Sequence, residues 1–237
     1  MKRQSINAMS RRRFLELSGI ASLSLLSQLD IPPVTAQDSV KDNISRVTMH
    51  TFDPNQTATD DAIRSALLAT DDFSWLHSGD SVFVKVASNS NLSSPSVTSP
   101  AVVSSVVRFL LEAGAGTVYV GDMSGAQFVR HFQNETQGST RDNMRQNGLL
   151  EAAERAGATG HCFEEVPFEE AYIPGIPTVE HHWGEELYVA EILDRVDHIV
   201  NLPRLGKHVL AGATMGLKNA VGWISDSSRG ALHRDGN

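Results

Sequence analysis

A glycine-rich segment at residues 203–222 carries the side chains best suited to chemistry. It follows an apolar stretch and contains His208, Lys207, Lys218 and Asn219 among the glycines 206, 212, 216 and 222. Glycine lets backbone approach a ligand closely, and histidine transfers protons near neutral pH. A desolvated lysine can serve as a nucleophile or an attachment point. We therefore predict a small-molecule site here, with ligand contacts from Gly212, Thr214, Gly216 and Asn219.

The spacing excludes two familiar phosphate-binding motifs. A phosphate loop needs Gly, Lys and Ser or Thr in succession, but Leu217 separates Gly216 from Lys218 and Asn219 follows. The first predicted strand is not followed by G-x-G-x-x-G, so a dinucleotide site of the Rossmann type has no support.

Two further charged residues are candidates because each lies near the end of a predicted strand. Lys85 and Asp122 are both predicted to contact the ligand. Each candidate also has a plain structural interpretation. Asp122 would cap the following helix, Lys218 would neutralise an acid or bind phosphate, His208 would lie on the surface, and Asn219 would only form a turn.

The apolar patterns predict strands alternating with helices. Strands are expected at 81–87, 117–120 and 198–202, and helices at 59–68, 100–113 and 141–156. A strand, a helix and a strand with short links form a βαβ unit, which implies a parallel sheet. The predicted fold is α/β, with a predominantly parallel sheet, flanking helices and a C-terminus truncated relative to the full-length protein.

This topology also predicts where the site lies. Ligands of such sheets bind outside the carboxyl ends of the strands. The loops 88–99 and 121–125 and the segment after Leu202 all leave strands at that edge. We expect them to converge there.

The N-terminus matches a twin-arginine export signal. Ser10-Arg11-Arg12-Arg13-Phe14-Leu15 fits S-R-R-x-F-L, an apolar run follows, and Val34-Thr35-Ala36 resembles a cleavage site. The run is too short and polar to be a stable membrane span. We expect residues 1–36 to be the signal, 37–57 a lead-in and 58–237 the α/β domain, with the twin-arginine translocase as an export partner and a periplasmic destination.

Composition excludes several functions. The net charge is −8 and becomes more negative without the basic signal, which argues against nucleic acid as a partner. The only cysteine, Cys162, rules out an internal disulfide and an iron–sulfur cluster ligated by cysteines of this chain. Cys162 is predicted to be buried, and His131 and His161 to be solvated.

The segments 197–205 and 208–222 resemble the signature of the family called domain of unknown function 362. Gly79-Asp80, Ser99–Val103, Glu112–Ala115 and Val120–Asp122 follow in that family's order. The resemblance covers about residues 58–237. Members of that family usually extend beyond the point that corresponds to residue 237, and some of them carry a ferredoxin-like cysteine module.

The stretch from His208 to Lys218 also resembles, more distantly, the nickel-pincer lactate racemases. That resemblance implies a nickel-pincer cofactor tethered to Lys218, with His208 as acid/base and His233 in the region of a nickel ligand. The racemases have a second catalytic histidine where this chain has Asp122. Asp122 would have to take that role.

Two functional hypotheses remain open, beside a third in which the segment only caps the sheet. The first is an exported enzyme, similar to an isomerase or racemase or associated with oxidoreductases, that acts on a small hydroxy or carboxylic acid. It would use His208 as acid/base and Lys218 as anion contact or cofactor tether. The alternative is a non-catalytic ligand-binding or redox-accessory protein.

Overall fold

The structure, a computed structural model, describes residues 47–51, 53, 59–175, 187–208 and 212–235. The predicted signal at 1–36 and most of the lead-in at 37–57 lie outside the described residues. The helices are α1 Thr59–Thr70, α2 Pro100–Glu112, α3 Thr140–Gln146, α4 Leu149–Arg155, α5 Phe168–Ala171, α6 Gly216–Ala220 and α7 Asp226–Asp235. The strands are β1 Ser81–Val86, β2 Thr117–Asp122, β3 Arg130–Phe132, β4 Glu135–Gln137, β5 Thr159–Cys162, β6 Tyr172–Pro174, β7 Tyr188–Ala190, β8 His198–Leu202, β9 Gly206–His208 and β10 Gly212–Thr214.

The centre of the fold is a four-stranded sheet with the order β5-β2-β1-β8, and every neighbouring pair is parallel. Val84 of β1 lies opposite Val120 of β2 on one side and Val200 of β8 on the other. Helix α2 connects β1 to β2, and α3 and α4 lie between β2 and β5. The predicted α/β fold with a parallel sheet is therefore confirmed.

The two faces of the sheet bury different side chains because successive residues of a strand point to opposite sides. Val82, Val84 and Val86 of β1 belong to an aliphatic core that also contains residues of the helices, among them Val107, Leu110 and Leu149. Phe83 belongs to a second core on the opposite face. Lys85 follows Phe83 by two residues, so its side chain points to the same face of the sheet. It is buried near the second core.

That second core is largely aromatic. The Phe83 and Trp223 rings lie 5.0 Å apart, and Phe163 stacks on Trp223 at 5.8 Å with 25° between the planes. Trp223 ends a 3-10 turn that begins at Val221. Offset and stacked aromatic pairs favour fixed orientations. The core therefore holds this turn against the sheet.

The helix predicted at 141–156 is wrong, because the structure has two helices there. α3 ends at Gln146, and Gly148 adopts a left-handed conformation with φ of 83° before α4 begins. Asn147 explains the break. Its side-chain amide donates to Ser90 O (2.9 Å) and Ser88 Oγ (3.1 Å), and so supports the loop that follows β1.

The prediction also missed β5 and assigned two histidines wrongly. His131 is 1% exposed, and its backbone N–H donates to the Asp226 carboxylate at 2.7 Å. His161 packs edge-on against Phe83, with 5.7 Å between ring centres. Burial lowers the pKa of both imidazoles. Cys162 is buried as predicted, and burial raises the pKa of its thiol.

In the described part of the chain, none of the helices combines the length and apolarity needed to cross a membrane.

Candidate functional site

A cavity of about 530 Å³ lies at the carboxyl ends of β1, β2 and β8. Its walls come from the loops after these strands and from the segment between Thr214 and Gly230. Six of the predicted site residues line it: Lys85, Asp122, His208, Thr214, Lys218 and Asn219. The loops predicted to converge at this edge of the sheet do so.

Lys85 and Asp122 form a buried ion pair at the floor of the cavity. Their side chains come from neighbouring strands, and Lys85 Nζ lies 2.5 Å from Asp122 Oδ1. Both residues are at most 2% exposed. Burial lowers the pKa of Lys85, Asp122 opposes this effect, and Arg229 and Lys218 add to it. Because desolvation is severe here, the pair is stable only while both partners are present.

The Asp122 carboxylate is fully engaged by protein donors. Oδ2 accepts the Ser88 N–H at 2.7 Å, and Oδ1 accepts the Met123 N–H at 2.7 Å as well as the Lys85 ammonium. Asp122 thus fixes the start of the loop after β1. In this arrangement it is an anchor for the floor rather than a helix cap.

The turn Val221–Trp223 closes over the ion pair, and only glycine fits at its centre. A Cβ on Gly222 would lie 2.5 Å from Lys85 Nζ and 2.9 Å from Asp122 Oδ1. The Trp223 ring centre is 5.8 Å from the same ammonium. Gly222 is therefore required by close approach to buried charged atoms.

Hydrogen bonds of Asn219 link α6 to the carboxyl ends of β1 and β8. Its amide nitrogen donates to Lys85 O at 3.1 Å and to Asn201 Oδ1 at 2.7 Å. Asn201 in turn donates to Gly216 O at 2.9 Å. The amide hydrogens of Asn219 are used within the protein, which leaves its Oδ1 for a ligand.

Lys218 is a cation of the cavity that is partly desolvated without a partner in the described part of the chain. It is half-buried, and it has no hydrogen bond or ion pair to any residue that the structure describes. Burial lowers the pKa of its ammonium, and the nearby Arg229 lowers it further, while Asp122 opposes both. An ammonium desolvated without a counterion favours the binding of an anion.

His208 ends β9, where it pairs with Gly212 of β10 in a short antiparallel ribbon. The glycine-rich segment thus contains this ribbon followed by α6, with 209–211 outside the described residues. Gly212 and Gly216, although predicted ligand contacts, are not among the described residues that line the cavity. Gly212 has a φ of 76°, in the left-handed region that favours glycine, so the backbone conformation alone explains this residue.

Sequence reasoning missed three arginines that line the cavity: Arg130, Arg204 and Arg229. Arg229 is buried, and its guanidinium donates to Ile224 O at 2.9 Å and Gly222 O at 3.0 Å. It therefore holds the turn that carries Gly222. Arg130 and Arg229 lie outside the glycine-rich segment and no local motif surrounds them, so only the tertiary fold brings them to the cavity. Arg204 lies within that segment, where the prediction rests on the histidine and the lysines instead.

The cavity is strongly cationic in an acidic protein. The described residues contribute six basic side chains to its lining: Lys85, Arg130, Arg204, Lys207, Lys218 and Arg229. They contribute two acidic ones, Asp122 and Asp226. The chain as a whole has a net charge of −8. A basic concave surface with low-dielectric walls concentrates anions.

The described residues do not by themselves form a metal site. Among them, no group of three or more His, Cys, Asp or Glu side chains is arranged to hold a metal ion. His233, the predicted nickel ligand, lies in α7, and its side chain is outside the described part. His208 and Lys218 do share the cavity. Without a ligand set, no step through such a cofactor is derived.

The model of a family described as domain of unknown function (DUF362) matches residues 82–237, which is more than half of the chain. The match begins within β1 and covers every segment that lines the cavity. No curated protein and no solved structure matches the chain at a significant level.

Proposed function

The chain belongs to the family described as domain of unknown function 362, and from its site we propose that it binds a small organic anion of the hydroxy- or carboxylic-acid class. The observation that carries the proposal is the half-buried Lys218 ammonium, which has no ion-pair partner among the described residues, in a cavity that they line with six basic and two acidic side chains. A carboxylate there gains a charge-assisted hydrogen bond in a partly desolvated place.

The proposed chemistry is proton transfer to or from the bound acid. His208 lines the same cavity and is the group suited to act as acid/base near neutral pH. Lys218 serves as the anion contact or, if modified, as a tether for a cofactor. Thr214 and Asn219 Oδ1 supply further polar contacts along the wall.

The experiment measures binding and turnover separately. Calorimetry with lactate as the probe is expected to show binding that Lys218→Gln weakens about tenfold or more. Arg155→Gln is the matched control, because Arg155 lies on α4 in an exposed pair with Glu151. Deuterium exchange at C2 of lactate, followed by NMR in D₂O, is expected to stop in His208→Gln. Equal binding of lactate and its analogues by wild type and Lys218→Gln sinks the proposal.

One observation favours non-catalytic binding as a second candidate. A racemase with two bases would need Asp122 as the second base, but this carboxylate already accepts from Lys85, Ser88 and Met123. Anion binding by wild type without any C2 exchange would support a ligand-binding or redox-accessory role.

We also propose export by the twin-arginine route, with action in the periplasm, from the S-R-R-x-F-L match at residues 10–15. Fractionation of cells that express the full chain is expected to find it outside the cytoplasm. Retention of wild type in the cytoplasm, or export unaffected by replacing Arg11 and Arg12 with Lys, would count against this route.

A further inference from the structure

We propose that the ligand of this cavity carries at least two separate anionic groups, carboxylate or phosphate, held by cations on different walls. The inference rests on the proposed function, since it specifies the class of anion that the same site takes. It depends on which of the six basic side chains are already neutralised by the protein, and on where the others lie.

Two of the six cations are neutralised within the protein. Lys85 pairs with Asp122 at 2.5 Å. Arg229 lies 3.8 Å from Asp226 Oδ1 and donates to the carbonyls of Val221, Gly222 and Ile224. Both acidic side chains of the lining are used in this way. Neither Lys85 nor Arg229 is therefore available as the main counterion of a ligand.

The other four cations have no carboxylate within 4.0 Å among the described residues: Arg130, Arg204, Lys207 and Lys218. They come from three parts of the fold. Lys218 lies on α6 beside the floor, where Arg229 and Asp122 influence it. Arg204 and Lys207 lie on or next to β9, and Arg130 begins β3. A single carboxylate has two oxygens, so it cannot serve cations on all these walls.

Arg204 supports a second anion subsite more directly. Its Nη1 donates to Pro95 O at 2.6 Å, which fixes the guanidinium at the wall. Nη1 also donates to Leu205 O at 3.2 Å, whereas Nη2 has no acceptor among the described residues. Because Arg204 lines the cavity, this Nη2 group is the part of the guanidinium that is left to bind an oxyanion of the ligand. A guanidinium also matches carboxylate and phosphate geometry better than a lysine does.

The size of the cavity agrees with this assignment. Its volume is about 530 Å³, within the range of about 300–1,000 Å³ typical of sites for larger small molecules. A three-carbon acid bound at Lys218 would leave most of this space to water and the remaining cations without counterions. A longer ligand with a second anionic group would also pair with cations contributed by other elements of the lining.

The experiment compares probes that differ in charge. Isothermal titration calorimetry of the full chain at fixed ionic strength uses lactate, malate and inorganic pyrophosphate. Malate is lactate with one carboxylate added, so the pair isolates the second group. We expect malate or pyrophosphate to bind about tenfold or more tightly than lactate. Whichever of the two binds more tightly identifies carboxylate or phosphate as the preferred source.

Variants locate the second group. Arg204→Gln is expected to weaken malate or pyrophosphate binding by a larger factor than lactate binding, and Lys218→Gln to weaken all three. Arg155→Gln, on the exposed face of α4, controls for loss of a positive charge elsewhere. Equal affinity of wild type for all three probes overturns the inference while the proposed function stands. If none of the three binds, the proposed function fails as well.

Discussion

Removing one partner of the Lys85–Asp122 pair should destabilise the fold strongly. The pair joins β1 to β2 inside the protein, with both side chains at most 2% exposed. In Lys85→Met, the Asp122 carboxylate remains buried but keeps the backbone donors of Ser88 and Met123. In Asp122→Asn, the Lys85 ammonium loses its counterion and keeps Val86 O, at 3.0 Å, as an acceptor. The new amide has an NH2 group in place of one of the two oxygens that accept from Lys85 and from the Ser88 N–H.

The magnitude follows from what remains unpaired. Breaking a buried ion pair by removing one partner costs about 3–5 kcal/mol. We place Lys85→Met near 3 kcal/mol, because two N–H donors still stabilise the carboxylate. The double variant Lys85→Met/Asp122→Asn leaves no buried charge, so we expect it to cost less than the sum of the single variants by about 2 kcal/mol. These losses are large beside a total stability of about 5–15 kcal/mol.

Urea unfolding at pH 7, followed by far-UV circular dichroism, measures the four free energies of the cycle. Tryptophan fluorescence gives a second probe, because the Trp223 ring lies 5.8 Å from the Lys85 ammonium. The exposed pair Arg155–Glu151 is the control, and the corresponding cycle should give about 0.3–0.5 kcal/mol. Single variants that each cost less than about 1 kcal/mol, or a double variant that is additive within about 0.5 kcal/mol, would refute the reasoning.

Two further predictions concern close packing and pH. Gly222→Ala places a Cβ 2.5 Å from Lys85 Nζ and should lower the free energy of unfolding in urea by about 1–3 kcal/mol. Gly216→Ala is the control and should lower it less, because its Cβ would meet Asn201 Nδ2 at 3.8 Å. Equal losses of stability in the two variants would contradict the argument. Burial raises the pKa of Glu164 above 4.5, so the folded state holds a proton that the unfolded chain releases. The stability that protonated Glu164 contributes is fully present below pH 4.5 and is lost as the pH rises through the folded-state pKa. The urea midpoint of the wild type should therefore decline over this range more than that of Glu164→Gln. Parallel profiles of midpoint against pH in the two proteins would disprove the assignment.

The elements that the sequence predicted well have strong local patterns. β1 reads Ser-Val-Phe-Val-Lys-Val, with β-branched residues that suit a buried strand, and α2 repeats its apolar residues at helical spacing after Pro100. β5 was missed because it has four residues, including a glycine and a histidine. The break between α3 and α4 had a local signal in Asn147-Gly148, a pair typical of turns, but the continuous apolar periodicity outweighed it.

The site was only partly predictable, for a different reason. The rule that ligands bind at the carboxyl ends of parallel strands correctly located Lys85, Asp122 and the segment after β8. It cannot say how a side chain is used. The hydrogen bonds that engage Asp122, and those that turn the Asn219 amide inward, depend on distant parts of the chain. Arg130 and Arg229 carry no local signal, since their approach to Lys218 depends on how β3 and α7 pack.

The contacts around Gly222 separate the buried floor of the cavity from the cations that we propose bind the ligand. The Arg229 guanidinium donates to the carbonyl of Gly222 in the turn, and Gly222 lies directly against the Lys85–Asp122 pair. The Asp122 carboxylate in turn accepts the Ser88 N–H in the loop after β1. Each charge in this chain of contacts is already satisfied by the protein, so a ligand gains little by approaching it and would break buried pairs by displacing it. Charge-assisted binding is left to the cations without carboxylate partners, Lys218 first among them. The floor therefore sets the position of α6, and the chemistry that we propose belongs to the side chains above it.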